Sequence, residues 1–201
     1  MNLPDTARVA PLPADDPRSQ DPLLEDLVNF VGYRPNALLT MARKPGVLPA
    51  VLALVQNTLR GDGLIEPSLR FLLAAEACRG ARCLYSTVHV VHAAQHAGVT
   101  WAQLAALPDY RDSADFNERE RAALRIASAG ATLPVADAAP AFELARQQFS
   151  EDELLEIVSI VAAFGWFNRW NSLMQTTMEP VPAEALHHVG WLQQLMKETT
   201  P

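Results

Sequence analysis

Apolar residues recur at helical spacing along almost the whole chain from residue 21 onward, and this periodicity limits the fold more than any other feature. Local signals mark where helices begin: Asp21 stands before Pro22, and Ser150 stands three residues before Glu153 in a capping box. Alternation with a period of two, which would indicate a strand, nowhere persists for a strand's length. The sequence therefore predicts an all-α, single-domain helical bundle of about 8–10 helices, spanning residues 21–201.

The two ends of the chain differ in pattern. Residues 1–20 lack helical periodicity and hold prolines at positions 4, 11, 13 and 17, so we expect an extended N-terminal arm that is either mobile or laid on a neighbouring surface. Near the other end, the spacing predicts one last helix over residues 183–196.

Composition and charge exclude several classes of function. The chain has 201 residues, of which 49% are hydrophobic and 19% charged, as in a globular protein. Its net charge of −7 argues against a nucleic-acid surface, which needs a basic stripe. No apolar run reaches the roughly 18 residues of a membrane span, and no signal peptide is evident. We therefore expect a cytoplasmic protein that binds neither nucleic acid nor membrane.

Residues 78–98 hold both cysteines and three of the five histidines. A helix that begins near Arg82 would place Cys83 in its first turn, where unpaired N–H groups and the helix dipole favour a thiolate. This makes Cys83 the best candidate for a reactive group. The alternative is that Cys83 is a small buried hydrophobic residue, as free cysteines commonly are.

Cys78 also has two interpretations. It could be a second thiol for Cys83 across the Arg79-Gly80 break, giving a Cys-x4-Cys redox pair, or it could be a core residue of the preceding helix. Two residues five apart point in different directions along a continuous helix, so the pair requires a real turn between them.

His89, His92 and His96 fall on one face of the predicted helix. His89 and His96 lie about two turns apart and cannot both reach one ion, so we expect packing rather than a metal site. His89 points away from the face that carries Cys83. It could act as a general base only if the helix were locally irregular.

Several separated motifs, in a fixed order, resemble those of a known superfamily. They are Pro35-Asn36, Lys44-Pro45, residues 64–70, Cys83-Leu84-Tyr85-Ser86, Ala94 with Ala97-Gly98-Val99, Phe149-Ser150 and Phe167-Asn168-Arg169. Together they resemble the alkylhydroperoxidase D-like, carboxymuconolactone decarboxylase superfamily, particularly its peroxidase-related branch, over roughly residues 20–185. The resemblance implies an all-helical protein that assembles into homo-oligomers and works without a cofactor.

The resemblance also implies where the site lies. In the family's peroxidases a glutamate and a histidine relay protons while the second of two cysteines attacks peroxide, and its sulfenic acid then condenses with the first cysteine. Cys83 matches the first cysteine, whereas Ser86, Val90 and Phe71 occupy the positions of the second cysteine, the histidine and the glutamate. We therefore expect an unusually apolar substrate pocket formed by Phe71, Tyr85, Ser86 and Val90.

Arg169 lies late in a long apolar helix, where a charge needs a partner. It would either form a buried pair that fixes helix packing or a subunit contact, or bind an anionic substrate in the cysteine pocket.

Three functions remain open at this point. The first is a cofactor-free thiol peroxidase centred on Cys83, with a peroxide as substrate and a thiol as reductant. The second is a lyase like the family's lactone decarboxylases, acting on a small carboxylated compound. The third is a catalytically silent oligomeric binding or scaffold protein, which the loss of the usual reactive side chains favours.

Overall fold

The computed structural model describes residues 7–199, which fold into α-helices joined by short turns and contain no β-strand. The helices are α1 (Pro22–Val31), α2 (Asn36–Met41), α3 (Val47–Val55), α4 (Pro67–Gly80), α5 (Leu84–His96), α6 (Trp101–Ala106), α7 (Glu118–Gly130), α8 (Ala139–Ala145), α9 (Glu151–Met174), α10 (Pro180–Ala183), α11 (Ala185–His188) and α12 (Gly190–Thr199). Short 3₁₀ turns lie at Pro17–Ser19 and Leu107–Asp109, and a π-helical turn at Gln56–Arg60 extends α3. The prediction of an all-α fold is confirmed.

Helix α4 lies at the centre of the bundle and packs against α5, α7 and α9. Every residue of α4 from 69 to 78 is buried, which accounts for its lack of a polar face. The α4–α5 pair is therefore the innermost part of the core, and it carries both cysteines.

The predicted caps form as the sequence indicates. The Ser150 hydroxyl accepts a hydrogen bond from the Glu153 N–H (3.3 Å), and the Glu153 carboxylate accepts one from the Ser150 N–H (2.7 Å). Asp21 accepts from the Leu23 N–H at 2.9 Å at the start of α1. These bonds satisfy backbone donors that the first turn of a helix leaves free.

The C-terminal segment differs from the single helix predicted over residues 183–196. It forms three short helices, α10 to α12: α10 begins after the extended Glu179, and the extended Val189 separates α11 from α12. Among residues 7–199 there are consequently twelve α-helices rather than the expected 8–10. Val189 and Leu192 are fully buried, so the break turns these two apolar residues onto the core.

The N-terminal segment, from residue 7, lies along the surface of the bundle. The Arg8 N–H donates to the Met174 carbonyl at 2.9 Å, and the Leu12 N–H donates to the Leu39 carbonyl at 3.3 Å. The Leu12 side chain is buried. Residues 1–6 of the expected arm lie outside the described residues.

None of the helices within residues 7–199 combines the length and the apolar character that crossing a membrane requires.

Candidate active site

A tight turn joins α4 to α5 and brings the two cysteines together. Arg82 adopts the left-handed conformation (φ 57°), its N–H donates to the Arg79 carbonyl at 3.0 Å, and the Cys83 N–H donates to the Cys78 carbonyl at 3.3 Å. This pair of bonds is the Schellman motif, in which the residues at its two ends commonly make a side-chain contact. Those two residues here are Cys78 and Cys83. The real turn that a cysteine pair requires is therefore present.

Both cysteines are buried and free. Burial raises the pKa of the Cys78 thiol, the neighbouring Cys83 raises it further, and a hydrogen bond from Asn168 partly opposes the shift. Cys78 is consequently held as a thiol rather than a thiolate. A redox bond between the two sulfurs remains a prediction.

Cys83 lies directly before the first residue of α5, at the N-cap rather than inside the first turn. Its Sγ is 3.3 Å from the Ser86 Oγ, which accepts a hydrogen bond from the Asn171 side chain at 3.0 Å. Asn171 in turn accepts from the Thr176 hydroxyl at 3.0 Å. Because the Cys83 thiol and the Asn171 amide both donate to Ser86, the serine keeps its own hydrogen free to donate to a bound molecule.

An apolar cavity of about 120 Å³ lies beside Ser86, between α2, α4, α5 and α9. The four residues predicted to form the substrate pocket, Phe71, Tyr85, Ser86 and Val90, all line it. Aromatic rings form much of the remaining wall, from Tyr33, Phe164 and Phe167. A cavity of this size compares with one of about 150 Å³ that binds benzene.

His89 also lines this cavity, and its hydrogen bonds define its charge. Nδ1 lies 2.7 Å from the Tyr85 carbonyl oxygen, which can only accept, so Nδ1 carries a proton. Nε2 lies 2.7 Å from a carboxylate oxygen of Glu179. The other oxygen of Glu179 accepts from the Tyr85 hydroxyl at 2.9 Å and from the Asn36 N–H. An ionised Glu179 therefore faces a His89 that is protonated on both nitrogens.

The electrostatics of Glu179 agree with this assignment. Burial would raise the pKa of its carboxyl, but the charge of His89 and the hydrogen bonds from His89, Asn36 and Tyr85 outweigh burial and lower it. Burial and the Glu179 charge together raise the pKa of Tyr33, whose ring lies 5.5 Å from that of His89. Helix α5 is regular here, so His89 reaches the cavity without the local irregularity that we expected a general base to need.

Sequence reasoning missed Glu179 and Asn171. Glu179 comes from the segment after α9, ninety positions beyond its partner His89, and its one local signal is the proline that follows it at the start of α10. Such a residue usually caps a helix at the surface. Asn171 had a weaker signal still, as an amide within an apolar helix.

One of the two alternatives for Arg169, that it faces the cysteine pocket, is wrong. Asn168 and Asn171, one turn apart on α9, are the residues that reach the thiol side: Asn168 hydrogen bonds to Cys78, and Asn171 to Ser86. Arg169 is rotated about 100° from Asn168 around the helix and is exposed. It lines a separate groove between α7, α8 and α9.

The His89, His92 and His96 face is used for packing. The His92 ring contacts the Val31 carbonyl at 2.9 Å and the His96 ring at 4.7 Å between centroids. Within the described part of the chain, no three His, Cys, Asp or Glu side chains are arranged to hold a metal ion.

The fold and this site define a class: all-α proteins of the alkylhydroperoxidase D-like type, with a cysteine at the start of a buried helix. The model of the carboxymuconolactone decarboxylase family matches residues 45–129, which include α4, α5 and both cysteines. The part of the chain that contains α4 and α5 is therefore similar to the carboxymuconolactone decarboxylase family. No curated protein matches the sequence significantly.

Solved structures extend the likeness to nearly the whole chain. The debrominase Bmp8, in a cysteine-to-alanine variant bound to 2,3,4-tribromopyrrole, has 28% sequence identity and a TM-score of 0.84, and the match covers 92% of this chain and 98% of Bmp8. A peroxidase-related protein from Ralstonia eutropha JMP134, described as an alkylhydroperoxidase AhpD core, has 22% identity and a TM-score of 0.70 over 84% of this chain and 87% of its own. One from Silicibacter sp. TM1040 has 19% identity and a TM-score of 0.72 over 90% and 95%. The two peroxidase-related proteins are similar to this chain in fold.

Proposed function

We propose that this protein is a thiol-dependent oxidoreductase in which Cys83 attacks a small apolar electrophile and Cys78 completes the reaction. The observation that supports the proposal is the Schellman turn, whose backbone hydrogen bond joins the free cysteines Cys78 and Cys83, with Cys83 next to the Ser86 that lines the apolar cavity. Ser86 occupies the position of the family's usual second cysteine. In this proposal the second thiol comes instead from Cys78, which precedes Cys83 in the sequence.

The first candidate substrate is a small organic hydroperoxide. Cys83 sulfur attacks the outer peroxide oxygen, the O–O bond breaks, and the thiol proton passes through the Ser86 hydroxyl to the departing alkoxide, which leaves as an alcohol. The Cys78 thiol then attacks the sulfenic acid of Cys83, so that water leaves and a disulfide forms. An external thiol reductant restores both cysteines by thiol–disulfide exchange.

Ser86 and His89 take different parts in this scheme. Ser86 relays the proton, because its own hydrogen is free to donate while its oxygen is held by Asn171. Both protons of His89 are already used by Tyr85 and Glu179. His89 is therefore assigned a positioning and electrostatic role: it holds Tyr85 and Glu179 in the wall of the cavity.

The likeness to the debrominase Bmp8 supports a second candidate substrate, a small brominated ring. Cys83 sulfur would attack bromine while the ring carbon takes the thiol proton through Ser86, leaving a C–H bond and a sulfenyl bromide on Cys83. The Cys78 thiol would then displace bromide to form the same disulfide, releasing HBr. The aromatic walls of the cavity suit a flat apolar ring.

A carboxylated lactone is supported less well. Among the described residues that line the cavity, His89 carries the positive charge, and Glu179 already neutralises it. Arg169, the cation expected to bind a carboxylate, lies in the other groove. Assembly into a homo-oligomer and a cytoplasmic location remain predictions.

Thiol titration and intact-mass measurement, before and after one equivalent of oxidant, test the proposal. With cumene hydroperoxide or 2,3,4-tribromopyrrole, the reduced protein should lose both thiols and two hydrogens in mass. Cys78→Ser should stop at a Cys83 sulfenic acid that dimedone traps, formed directly with the peroxide or, with the bromopyrrole, when water displaces bromide from the sulfenyl bromide; Cys83→Ser should not react. Ser86→Ala should slow the reaction, whereas Ser159→Ala, a change of the same kind on the outer face of α9, should not.

The results separate thiol chemistry from a catalytically silent protein. Reaction with the peroxide alone or with the bromopyrrole alone selects between the two substrates. Two thiols that survive both oxidants would refute the proposal and favour a catalytically silent binding protein.

A further inference from the structure

A second and larger cavity, an open groove of about 670 Å³, lies between α7, α8 and α9. Sites for small organic ligands typically measure about 300–1,000 Å³ and combine apolar walls with a few polar groups. The groove has this composition: its apolar walls include Ile126, Phe142 and Val161, and Asn168 and Arg169 lie among them.

The rim of the groove exposes large apolar side chains to water. Leu133 is 70% exposed, Val135 54%, Val158 39% and Trp166 36%. All four line the groove, so a ligand seated there would cover them together. A cluster of this kind marks an interaction site more often than the scattered apolar residues of an ordinary surface do.

Asn168, which lines this groove, carries an unused hydrogen-bond acceptor. The residue is only 5% exposed, and its Nδ2 donates to the Ala77 carbonyl at 3.5 Å. Asn168 also hydrogen bonds to Cys78. Its Oδ1 is buried and has no hydrogen-bond partner within the described chain. Since buried acceptors are nearly always paired, this oxygen requires a donor that the fold does not provide.

Arg169 supplies a cation beside that acceptor. It follows Asn168 on α9, lines the same groove and is exposed, and it forms no ion pair with residues 7–199. A guanidinium binds carboxylates through two parallel hydrogen bonds. A ligand that complements the groove would therefore have an apolar body, a hydrogen-bond donor and an anionic group.

We propose that this groove is a binding site for a small amphipathic carboxylic acid. The apolar ring of the acid lies between Phe142 of α8 and Trp166, an N–H or O–H of the ring donates to the Asn168 Oδ1, and the carboxylate pairs with Arg169. The site is separate from the cavity beside Cys83, and it does not depend on the proposed thiol chemistry.

Indole-3-acetate has all three features and serves as the probe, with binding measured by isothermal titration calorimetry on the full chain. Two related compounds each remove one feature: indole-3-ethanol lacks the carboxylate, and 1-benzothiophene-3-acetate lacks the N–H. Each should bind about tenfold more weakly, the loss expected for one charged or otherwise unreplaced hydrogen bond.

A larger side chain at Gly165 would fill the groove without disrupting the fold. Gly165 lies inside α9 and lines the groove, and a Cβ at this position meets no atom within 4 Å. Gly165→Leu should therefore fold as a helix and abolish binding of indole-3-acetate. Arg169→Gln should weaken indole-3-acetate to the level of indole-3-ethanol. Lys197→Gln removes the same charge from an exposed residue on α12 and should leave binding unchanged.

Three outcomes would overturn the proposal. The first is the absence of measurable binding of indole-3-acetate by the wild-type protein. The second is binding that Gly165→Leu leaves intact, because the acid would then lie elsewhere, for example beside Cys83. The third is dissociation of an oligomer by Gly165→Leu without any acid binding, which would make the groove a contact between copies of the chain.

Discussion

Replacing Glu179 with glutamine tests the buried ion pair that holds α5 to the segment after α9. Glutamine keeps the shape of glutamate, and its oxygen can still accept from the Tyr85 hydroxyl and the Asn36 N–H. Its amide group, however, cannot accept the proton on Nε2 of His89. His89 should therefore lose that proton and become neutral, accepting a hydrogen bond at Nε2 while Nδ1 still donates to the Tyr85 carbonyl.

The size of the effect follows from burial. The side chains of His89 and Glu179 are only 12% and 9% exposed, so water screens the pair weakly. Removing one partner of such a pair costs about 3–5 kcal/mol when the other stays charged. Because glutamine allows His89 to become neutral, we expect Glu179→Gln to lower the free energy of unfolding by about 1–2 kcal/mol at pH 7. Glu179→Ala, which leaves three donors unmatched, should cost about 3–5 kcal/mol.

The effect should depend on pH in a defined direction. The pKa of Glu179 in the folded protein lies below its ordinary value of 4.5. A lowered pKa means that the ionised carboxylate stabilises the fold above pH 4.5, and that this stabilisation is lost as the pH falls through the folded-state pKa. The difference in stability between the wild type and Glu179→Gln should therefore shrink towards zero in acid.

Urea unfolding followed by circular dichroism, repeated between neutral pH and pH 3, measures the difference directly. Glu143→Gln removes the same charge from an exposed position on α8 and is the control. The carbon shifts of the His89 ring report its charge by NMR. Equal stabilities of the two variants at every pH, or an imidazolium signal that persists at pH 7 in Glu179→Gln, would refute the assignment of the pair.

Three further substitutions test the packing of the bundle, each by urea unfolding at neutral pH. Arg70→Met should lower stability by about 3–5 kcal/mol, because it leaves Glu156 without its 2.9 Å partner and three backbone carbonyls without a donor; an effect below 1 kcal/mol would contradict this. Phe71→Ala should cost about 3–5 kcal/mol, through lost burial and an enlarged cavity beside Ser86; a near-neutral change would mean that the wall collapses onto the space. Gly165→Ala should stabilise the protein by about 0.5–1 kcal/mol, because the new methyl group meets open space on a helix; destabilisation would show that the groove is closed in solution.

The parts of the fold that depend on neighbouring residues could be predicted from sequence. The start of α9 follows from Ser150 and Glu153, whose side chains bond to each other's backbone within one turn. The division of the last segment could not be predicted, because the extended conformation of Val189 depends on burial of Val189 and Leu192 against a distant part of the core. Spacing on its own gave no reason to end a helix there.

The same distinction applies to the candidate site. Ser86 and Val90 share one face of a single helix, which spacing shows, and the family resemblance implied that Phe71 on the preceding helix meets them at one cavity. Glu179 reaches His89 only through the path of the chain after α9, which no local pattern describes. The Phe167-Asn168-Arg169 motif indicated that α9 contributes to the site, but not that its amides rather than its arginine face the thiols.

The short turn between the cysteines has a consequence for how oxidation would affect the molecule. A bond between the sulfurs of Cys78 and Cys83 would close a ring of six residues. By the chain-entropy relation, so small a ring adds about 2 kcal/mol, against about 4.7 kcal/mol for a loop of 100 residues. The hydrogen bonds of the turn already fix its shape while the cysteines are reduced. Such a disulfide is therefore suited to reversible two-electron oxidation and reduction, and poorly suited to being a structural disulfide that stabilises the fold.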